Sequence, residues 1–192
     1  MQIIGITGGI GSGKSTLVHE LACRGYRIYD CDQEAKRIIE TVPQVRDAVK
    51  ALLGNESFVS HSYNTGYVAR RVFAEPDLLE RLNTIVHPAV KADITRLCKG
   101  TDEPLFVESA ILYEAGLDAL CHRIFHVDAP EDVRLARTIA RDYRGDASAE
   151  NIKKVRARMR AQEGEKKKNA IIINNDGTAS IPELADALLA QI

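Results

Sequence analysis

Short apolar stretches typical of strands alternate along this chain with longer stretches whose apolar residues recur at helical spacing. Residues 2–6 are largely β-branched with little polar alternation, which is typical of a strand buried on both faces. Further strands are predicted at 26–29, 104–109, 123–127 and 170–174. Helices are predicted at 14–23, 34–40, 45–53, 68–73, 76–97, 130–141, from about 148, and after the capping-box pattern SIPE at 180–183. This alternation predicts an α/β fold with a mainly parallel sheet and helices on both of its faces.

Two interruptions are predicted in the helical region between the second and third strands. Residues 54–66 are polar and rich in Gly, Asn and Ser, which predicts a loop. Because the residue before a proline is disfavoured in the α conformation, Pro88 predicts that one helix ends near Val86 and that another begins with Pro88 in its first turn. His87 would then lie at the junction of two helices.

The composition excludes some classes of protein. The chain has 192 residues, enough for one domain with a core, and its formal net charge is −1. This charge argues against binding nucleic acid through a broadly basic surface. No apolar stretch approaches the ~18 residues that a membrane-spanning helix needs, and the N-terminus has no signal-peptide pattern. We therefore expect a cytoplasmic protein with neither a nucleic-acid nor a membrane partner.

The charge is nevertheless unevenly distributed. Lys and Arg outnumber Asp and Glu between Arg134 and Lys168. This bias fits a solvated helical face, and it equally fits a cationic segment that contacts phosphates. Both interpretations stay open at this point.

The stretch GGIGSGKST at 8–16 follows the first predicted strand and opens the first helix. It matches the phosphate-loop pattern G-x-x-x-x-G-K-[ST], in which glycines let the backbone approach a ligand and successive N–H groups form an anion-binding concavity. The helix that follows adds its partial positive charge. Lys14 would reach the outer phosphates, and the Ser15 hydroxyl would ligate Mg²⁺. The stretch therefore predicts a site for a nucleoside triphosphate.

Acidic residues follow two of the other predicted strands. In a parallel sheet, ligands bind at the carboxyl ends of the strands. Asp30 and Asp32 follow the second strand, where both could face the phosphate loop and one could instead cap the next helix. Glu108 ends the third strand, where an acid can hold the water shell of a metal ion or be an ordinary residue at the sheet edge. If the protein is a kinase, it needs a carboxylate that orients or deprotonates the acceptor hydroxyl, and Asp30 and Asp32 are the candidates for this role.

Two classes of protein use a phosphate loop of this kind. One hydrolyses a nucleotide to drive a conformational switch, and the other is a small-molecule kinase. The chain has no N/T-K-x-D segment typical of a guanine-specific switch protein, and its D-x-x-G match at 142–145 follows a helix rather than a strand. These observations favour a kinase.

The motifs taken together resemble the dephospho-CoA kinase family along nearly the whole chain. The matching segments are GITGGIGSGKST (5–16), YDCDQEAK (29–36), LNTIVHPAV (82–90), ESAILYEAGLD (108–118), RTIARD (137–142), RARMRAQ (156–162) and IINNDG (172–177). The resemblance implies transfer of the γ-phosphate of ATP to the ribose 3′-hydroxyl of dephospho-CoA, the last step of coenzyme A biosynthesis. The alternative is another small-molecule or nucleotide P-loop kinase.

The resemblance also implies roles for particular residues. It gives Asp32 the position of the general base and places His87 in the substrate region. From the motifs themselves, Lys14 is also expected to be catalytic, Asp30 to bind the substrate, and Ser15 and Glu108 to hold Mg²⁺. The residues expected to bind ATP are Gly11, Ser12, Gly13, Lys14, Ser15, Thr16 and Arg141.

The implied organisation is a P-loop kinase core with a parallel five-stranded sheet flanked by helices. The core covers about 1–30, 100–140 and 169–192, a helical substrate-binding insertion covers about 31–99, and a lid covers about 141–168. ATP and dephospho-CoA are the expected partners, and the protein is expected to be a monomer or a weak homo-oligomer. Two departures from the family pattern are Ala110, where a proline is usual, and a short segment after Gln162, which bears on the lid geometry.

Overall fold

The computed structural model of the protein describes residues 2–100, 102–162 and 169–192. In chain order its strands are β1 (Ile3–Thr7), β2 (Arg27–Asp30), β3 (Phe58–Val59), β4 (Ser62–Tyr63), β5 (Leu105–Glu108), β6 (Arg123–Asp128) and β7 (Ile171–Asn174). Its α-helices are α1 (Lys14–Cys23), α2 (Cys31–Thr41), α3 (Pro43–Leu53), α4 (Thr65–Ala74), α5 (Pro76–Leu97), α6 (Glu131–Asp142), α7 (Ala149–Ala161) and α8 (Ile181–Leu189). None of these described helices is long and apolar enough to cross a membrane.

The described residues fall into two units. The sheet unit comes from Met1–Tyr29 and Asp102–Ile192, and the helical unit comes from Asp30–Thr101. The roles predicted for these parts of the chain, a kinase core, a substrate region and a lid, stay predictions.

The sheet unit is built on a five-stranded sheet with the order β2-β5-β1-β6-β7. Strand β1 runs parallel to both β5 and β6, and β6 runs parallel to β7, which confirms the predicted parallel sheet. In the register, Ile6 is paired with Glu108 of β5 and with Phe125 of β6. The carboxyl end of β5 therefore lies beside the end of β1, from which the phosphate loop leaves the sheet.

The core of the sheet unit consists of apolar side chains from β1, β5 and β6 and from α1 and α8. Leu17 and Leu21 of α1 are fully buried, as their helical spacing predicted. The predicted capping box is present at the start of α8, where Ser180 and Glu183 bond reciprocally to each other's backbone N–H groups. This cap fixes the start of α8, whose Leu184 and Leu188 pack in the same core.

In the helical unit, α2, α3 and α4 all pack against α5. The predicted helix break at Pro88 is wrong, since α5 runs without interruption through His87 and Pro88. A proline inside a helix costs ~3 kcal/mol, because the carbonyl four residues earlier, here that of Thr84, loses its N–H partner. Burial of one large apolar side chain contributes about 1.5–3 kcal/mol. The buried face of α5 continues on both sides of Pro88, and the free energy gained by burying it outweighs that cost. The buried residues of this face are Leu78, Leu82, Val86, Val90 and Ile94.

The predicted loop at 54–66 also contains regular structure. A 3₁₀ turn at Asn55–Ser57 leads into β3, which pairs with β4 as a short antiparallel hairpin. Phe58 lies opposite Tyr63 with 5.8 Å between ring centroids, and the Arg46 guanidinium lies 4.9 Å from the Phe58 ring. These contacts supply the aromatic and cation–π stabilisation that polar composition alone did not predict.

Candidate active site

The loop between β1 and α1 requires glycine at two positions. Gly11 and Gly13 have φ values of 78° and 88°, in the left-handed region that side chains disfavour. A Cβ atom on Gly11 would lie 2.3 Å from the Arg134 carbonyl oxygen, and one on Gly13 would lie 2.1 Å from Asn175 Nδ2. The loop thus packs its backbone directly against α6 and the segment after β7, with no space for a side chain at either position.

Helix α1 begins directly after this loop, with Gly13 at its N-cap position. Among the described residues, no side chain caps this helix end. A helix N-terminus presents N–H groups and a partial positive charge, which is the arrangement that binds phosphate. The loop and the helix end together therefore present N–H donors and a partial positive charge at the end of β1, an arrangement that suits an anion.

Lys14, Ser15 and Glu108 are brought together at this site. The Ser15 hydroxyl donates to Glu108 Oε1 at 2.7 Å, and the Lys14 ammonium forms an ion pair with the same oxygen. The Glu108 side chain is only 9% exposed. Because a buried carboxylate needs compensation, the cation and the hydroxyl together stabilise its charge. The cluster thus combines an ammonium group with a hydroxyl oxygen and a carboxylate, and both kinds of oxygen are able to bind a metal ion.

Side chains from α6 and from the segment after β7, outside the phosphate-loop motif, help to hold the loop in place. Arg134 Nε donates to the Ile10 carbonyl at 3.0 Å, and Asn175 Nδ2 donates to the Ser12 carbonyl at 2.8 Å. Arg137 in turn donates to the carbonyl oxygen of Asn175 at 3.0 Å. Asn175 is almost fully buried, and its side-chain amide bonds to the Ser12 carbonyl through Nδ2 and to Arg137 through Oδ1.

Sequence reasoning missed these three residues, although a weak signal existed for two of them. Arg134, Arg137 and Arg141 are spaced three and four residues apart on α6, which places them near one helix face. That spacing is the signal by which Arg134 and Arg137 could have been grouped, although Arg141 bonds to Asp142 and not to the loop. Asn175 follows the last strand, but its position alone did not distinguish it from neighbouring polar residues.

Arg141, predicted to contact ATP, lies in the last turn of α6 and is exposed. It donates to Asp142 at 2.7 Å, and Arg158 of α7 donates to the same carboxylate at 2.7 Å. The hydrogen bond from Arg141, followed by that from Arg158, lowers the pKa of Asp142 to about 2. Asp142 is therefore ionised at neutral pH and links the end of α6 to α7.

The two carboxylates after β2 have different local surroundings. Asp30 is the N-cap of α2, and its Oδ1 accepts from the N–H groups of Asp32 and Gln33 at 3.0 and 3.1 Å. Its Oδ2 accepts from the Gln33 side chain at 2.7 Å. Asp32 lies in the first turn of α2 and is exposed. Asp30 thus caps α2, as predicted for one of the two aspartates that follow the second strand.

His87 lies inside α5, rather than at a junction between helices, and its side chain is half-buried. Burial lowers the pKa of His87 from its ordinary value near 6.5, and the charge of Lys91 one turn later lowers it further. His87 is therefore neutral at pH 7, and a neutral imidazole is able to accept a hydrogen bond as well as donate one.

The lowered pKa of His87 predicts a loss of stability in acid. The unfolded chain takes up a proton below about pH 6.5, whereas the folded protein resists doing so until its lower pKa is reached. We expect the free energy of unfolding of the wild type to fall relative to that of His87→Asn across this window, by at most about 1.4 kcal/mol per pH unit. Urea unfolding at a series of pH values measures this. A difference between the two proteins that is independent of pH would contradict the lowered pKa.

The parallel sheet, the glycine loop before α1 and the Lys14–Ser15–Glu108 cluster define a P-loop kinase. A family model described as dephospho-CoA kinase (CoaE) matches residues 2–180 of the chain. The chain therefore belongs to the dephospho-CoA kinase family.

Individual relatives agree with this assignment. A dephospho-CoA kinase of Porphyromonas gingivalis is 40% identical over 166 residues, which cover 86% of this chain and 79% of that protein. The crystal structure of TT1252 from Thermus thermophilus has 33% identity and a TM-score of 0.79, covering 100% of this chain and 97% of that one. A dephospho-CoA kinase from Campylobacter jejuni, at 19% identity and a TM-score of 0.69, covers 98% of this chain and 96% of its own and has the same fold.

Proposed function

We propose that this protein transfers the γ-phosphate of ATP to the ribose 3′-hydroxyl of dephospho-CoA and so makes coenzyme A, the last step of coenzyme A biosynthesis. The observation that carries this proposal is the match to the dephospho-CoA kinase family over residues 2–180. The geometry supports it, because the loop after β1 combines an anion-binding backbone with a lysine, a hydroxyl and a buried carboxylate. These are the groups that phosphoryl transfer requires.

On the nucleotide side, the loop and the first turn of α1 bind the phosphates of ATP. Lys14 moves from Glu108 to the transferred phosphate and neutralises the charge that develops there. The residues proposed to contact ATP are Gly11, Ser12, Gly13, Lys14, Ser15, Thr16 and Arg141. Support for Arg141 comes from the family resemblance and from its place at the end of α6, the same helix that supplies the loop contacts of Arg134 and Arg137.

Ser15 and Glu108 have the chemistry to hold Mg²⁺. Their oxygen atoms lie 2.7 Å apart beside the phosphate loop, and Mg²⁺ is typically held by one or two protein oxygens together with phosphates and water. A cation held by these two residues would supply positive charge that offsets the negative charge of the phosphates. The contribution of the chain is to place a carboxylate and a hydroxyl at the end of β5 and the start of α1.

On the acceptor side, Asp32 takes the proton of the ribose 3′-hydroxyl. As the hydroxyl oxygen bonds to the γ-phosphorus, the bond from that phosphorus to the β–γ bridging oxygen breaks, and ADP leaves. Asp30 positions Asp32 by capping α2, because its carboxylate accepts the Asp32 N–H. His87, neutral at pH 7, contributes to substrate binding from α5.

The experiment that tests this function is an assay of ATP consumption with different acceptors. We expect turnover with dephospho-CoA, and none of comparable rate with shikimate or with nucleoside monophosphates. ³¹P NMR of the product should show a new phosphomonoester on the ribose. Turnover with a nucleoside monophosphate or shikimate, but not with dephospho-CoA, would favour the alternative of another small-molecule P-loop kinase. ATP hydrolysis that no acceptor stimulates would favour a nucleotide switch.

We further propose that residues 141–168 act as a lid over ATP. Residues 163–168 lie outside the described part of the chain. Within the rest, Arg158 of α7 bonds to Asp142 at the end of α6, and α7 packs on α6 through Val155 and Met159. Closure of a basic segment would exclude water, which otherwise competes with the acceptor hydroxyl. A cytoplasmic location and a monomeric or weakly oligomeric state complete the proposal.

A lid predicts that ATP slows amide exchange in this segment. We expect hydrogen exchange in α7 to slow when a nonhydrolysable ATP analogue is present at saturation, because closure adds contacts to this helix. Peptides from α3, in the helical unit, serve as the internal control. Exchange that is unchanged throughout 141–162 would count against a lid.

A further inference from the structure

The peptide groups of Ile10, in the middle of the phosphate loop, are bonded on both sides. The Ile10 N–H donates to Gln162 Oε1 at 2.7 Å, and the Ile10 carbonyl accepts from Arg134 Nε at 3.0 Å. The Ile10 side chain packs against the small core that α6 and α7 share, which includes Val155 and Met159. Ile10 is thus held through its main chain and its side chain by the same pair of helices.

Gln162 reaches the loop from the end of α7, where it is the C-cap residue. Its own N–H donates to the Met159 carbonyl at 3.1 Å, so the helix end fixes its backbone. Met159 and Val155, about one and two turns earlier, are buried against α6 and fix the helix itself. The Gln162 amide oxygen is therefore held at the loop by a chain of packed and bonded groups.

The bond to Gln162 limits which N–H groups of the loop can bind phosphate. The Ile10 N–H is taken by Gln162, and the Ser12 N–H donates to the Gly9 carbonyl at 3.1 Å. The Ser12 carbonyl is held in turn by Asn175 at 2.8 Å. The phosphates of a nucleotide must therefore be bound by the other N–H groups of the loop, whose directions depend on how the Ile10 and Ser12 peptides are oriented.

We propose that Gln162 is a positioning residue for ATP binding, which acts by accepting the Ile10 N–H and so orienting the phosphate loop. This role rests on the nucleotide-binding part of the proposed function and not on the identity of the acceptor. Binding is tightest when donors are already aimed at the ligand, because no reorganisation is then needed. Without Gln162, the Ile10 N–H loses its acceptor and only the Arg134 bond and the packing of the Ile10 side chain still hold this peptide, so part of the ordering of the loop is left to the moment of binding.

The test compares the wild type with Gln162→Leu, which keeps the size of the side chain and removes the acceptor. We expect the Kd of a nonhydrolysable ATP analogue, measured by calorimetry, to rise roughly two- to tenfold, the effect of one hydrogen bond of this kind. NMR should show faster exchange of the Ile10 amide hydrogen in the absence of nucleotide. Gln191→Leu is the matched control, because Gln191 is an exposed glutamine just after α8 whose side chain, within the described part of the chain, donates to the nearby Ala187 carbonyl and not to the loop.

A second variant, Gln162→Glu, separates positioning from general stability. Glutamate keeps an acceptor oxygen at this position, so the Ile10 amide should stay protected as in the wild type, while the added charge weakens binding of the anionic nucleotide. A Gln162→Leu protein that binds the ATP analogue with wild-type affinity would overturn the proposal, as would wild-type exchange at Ile10 in that variant or a Gln162→Glu protein that loses protection at Ile10. These measurements use only the ATP analogue. Their outcome therefore tests the role of Gln162 even if the acceptor assay identifies a substrate other than dephospho-CoA.

Discussion

Lys14→Ala is expected to lower kcat by roughly 10²–10³-fold while the protein stays folded, because a preorganised charge at the transferred group contributes this much to catalysis. In the structure Lys14 forms an ion pair with Glu108 at the end of β5, within the sheet unit. Its removal takes a cation from a carboxylate that is mostly buried, although the Ser15 hydroxyl continues to donate to it at 2.7 Å. Steady-state kinetics and a thermal melt on the same preparation measure the two effects separately.

Two further variants make this test specific. Lys14→Met keeps most of the side-chain stem without its charge, so it should lose as much activity as Lys14→Ala with a smaller change in the melt. Lys99→Ala removes an exposed lysine in the turn after α5 and should leave kcat unchanged. A folded Lys14→Ala protein with near-normal turnover would contradict the role assigned to this residue.

Asp32→Asn is expected to lower kcat by about 10²–10⁴-fold, with little change in the dissociation constants of ATP and dephospho-CoA. An amide keeps the shape of the carboxylate but does not accept a proton, so the loss should fall on the chemical step. Asp32 suits this role because it lies in the first turn of α2 with its side chain exposed, where a substrate hydroxyl can approach. Calorimetry gives the dissociation constants, and initial rates at saturating substrates give kcat.

Asp30→Asn is the matched control for this prediction. The Asp30 carboxylate is occupied as the cap of α2, and an asparagine at that position still offers one oxygen to the Asp32 and Gln33 N–H groups. Asparagine and aspartate are similar as N-caps, so we expect a loss of stability below about 1 kcal/mol and a modest effect on kcat. If Asp30→Asn is the more damaging of the two to kcat, or if Asp32→Asn keeps near-normal turnover, Asp32 is not the base.

The sheet and the phosphate loop were predictable because their signals are local and repeated. The strand β1 is a continuous apolar stretch, and the loop after it carries its glycines, Lys14 and Ser15 within nine consecutive residues. Glu108 was predictable as well, since it ends a strand, and the ends of parallel strands meet at one edge of a sheet. In each case the residue type and its position in a regular element were sufficient.

The course of α5 was not predictable from the local rule for proline. That rule describes a helix in isolation, whereas Pro88 lies in a helix whose buried face continues on both sides of it. Whether that burial outweighs the lost hydrogen bond depends on what packs against the face, here α2, α3 and α4. The position of His87, and with it the direction of its pKa shift, follows from this packing.

The class of fold and the family resemblance could be inferred from motifs that are contiguous in the chain, and the same motifs predict where the nucleotide phosphates bind. What holds the loop became visible only in the folded protein, where Arg134, Gln162 and Asn175 bond to Ile10 and Ser12 across separations of 124, 152 and 163 residues. A single hydrogen bond between distant residues leaves no periodicity in a sequence. It exists only because α6, the end of α7 and the segment after β7 all lie against the loop that follows β1, and that packing is the sum of many buried contacts rather than the property of any one segment.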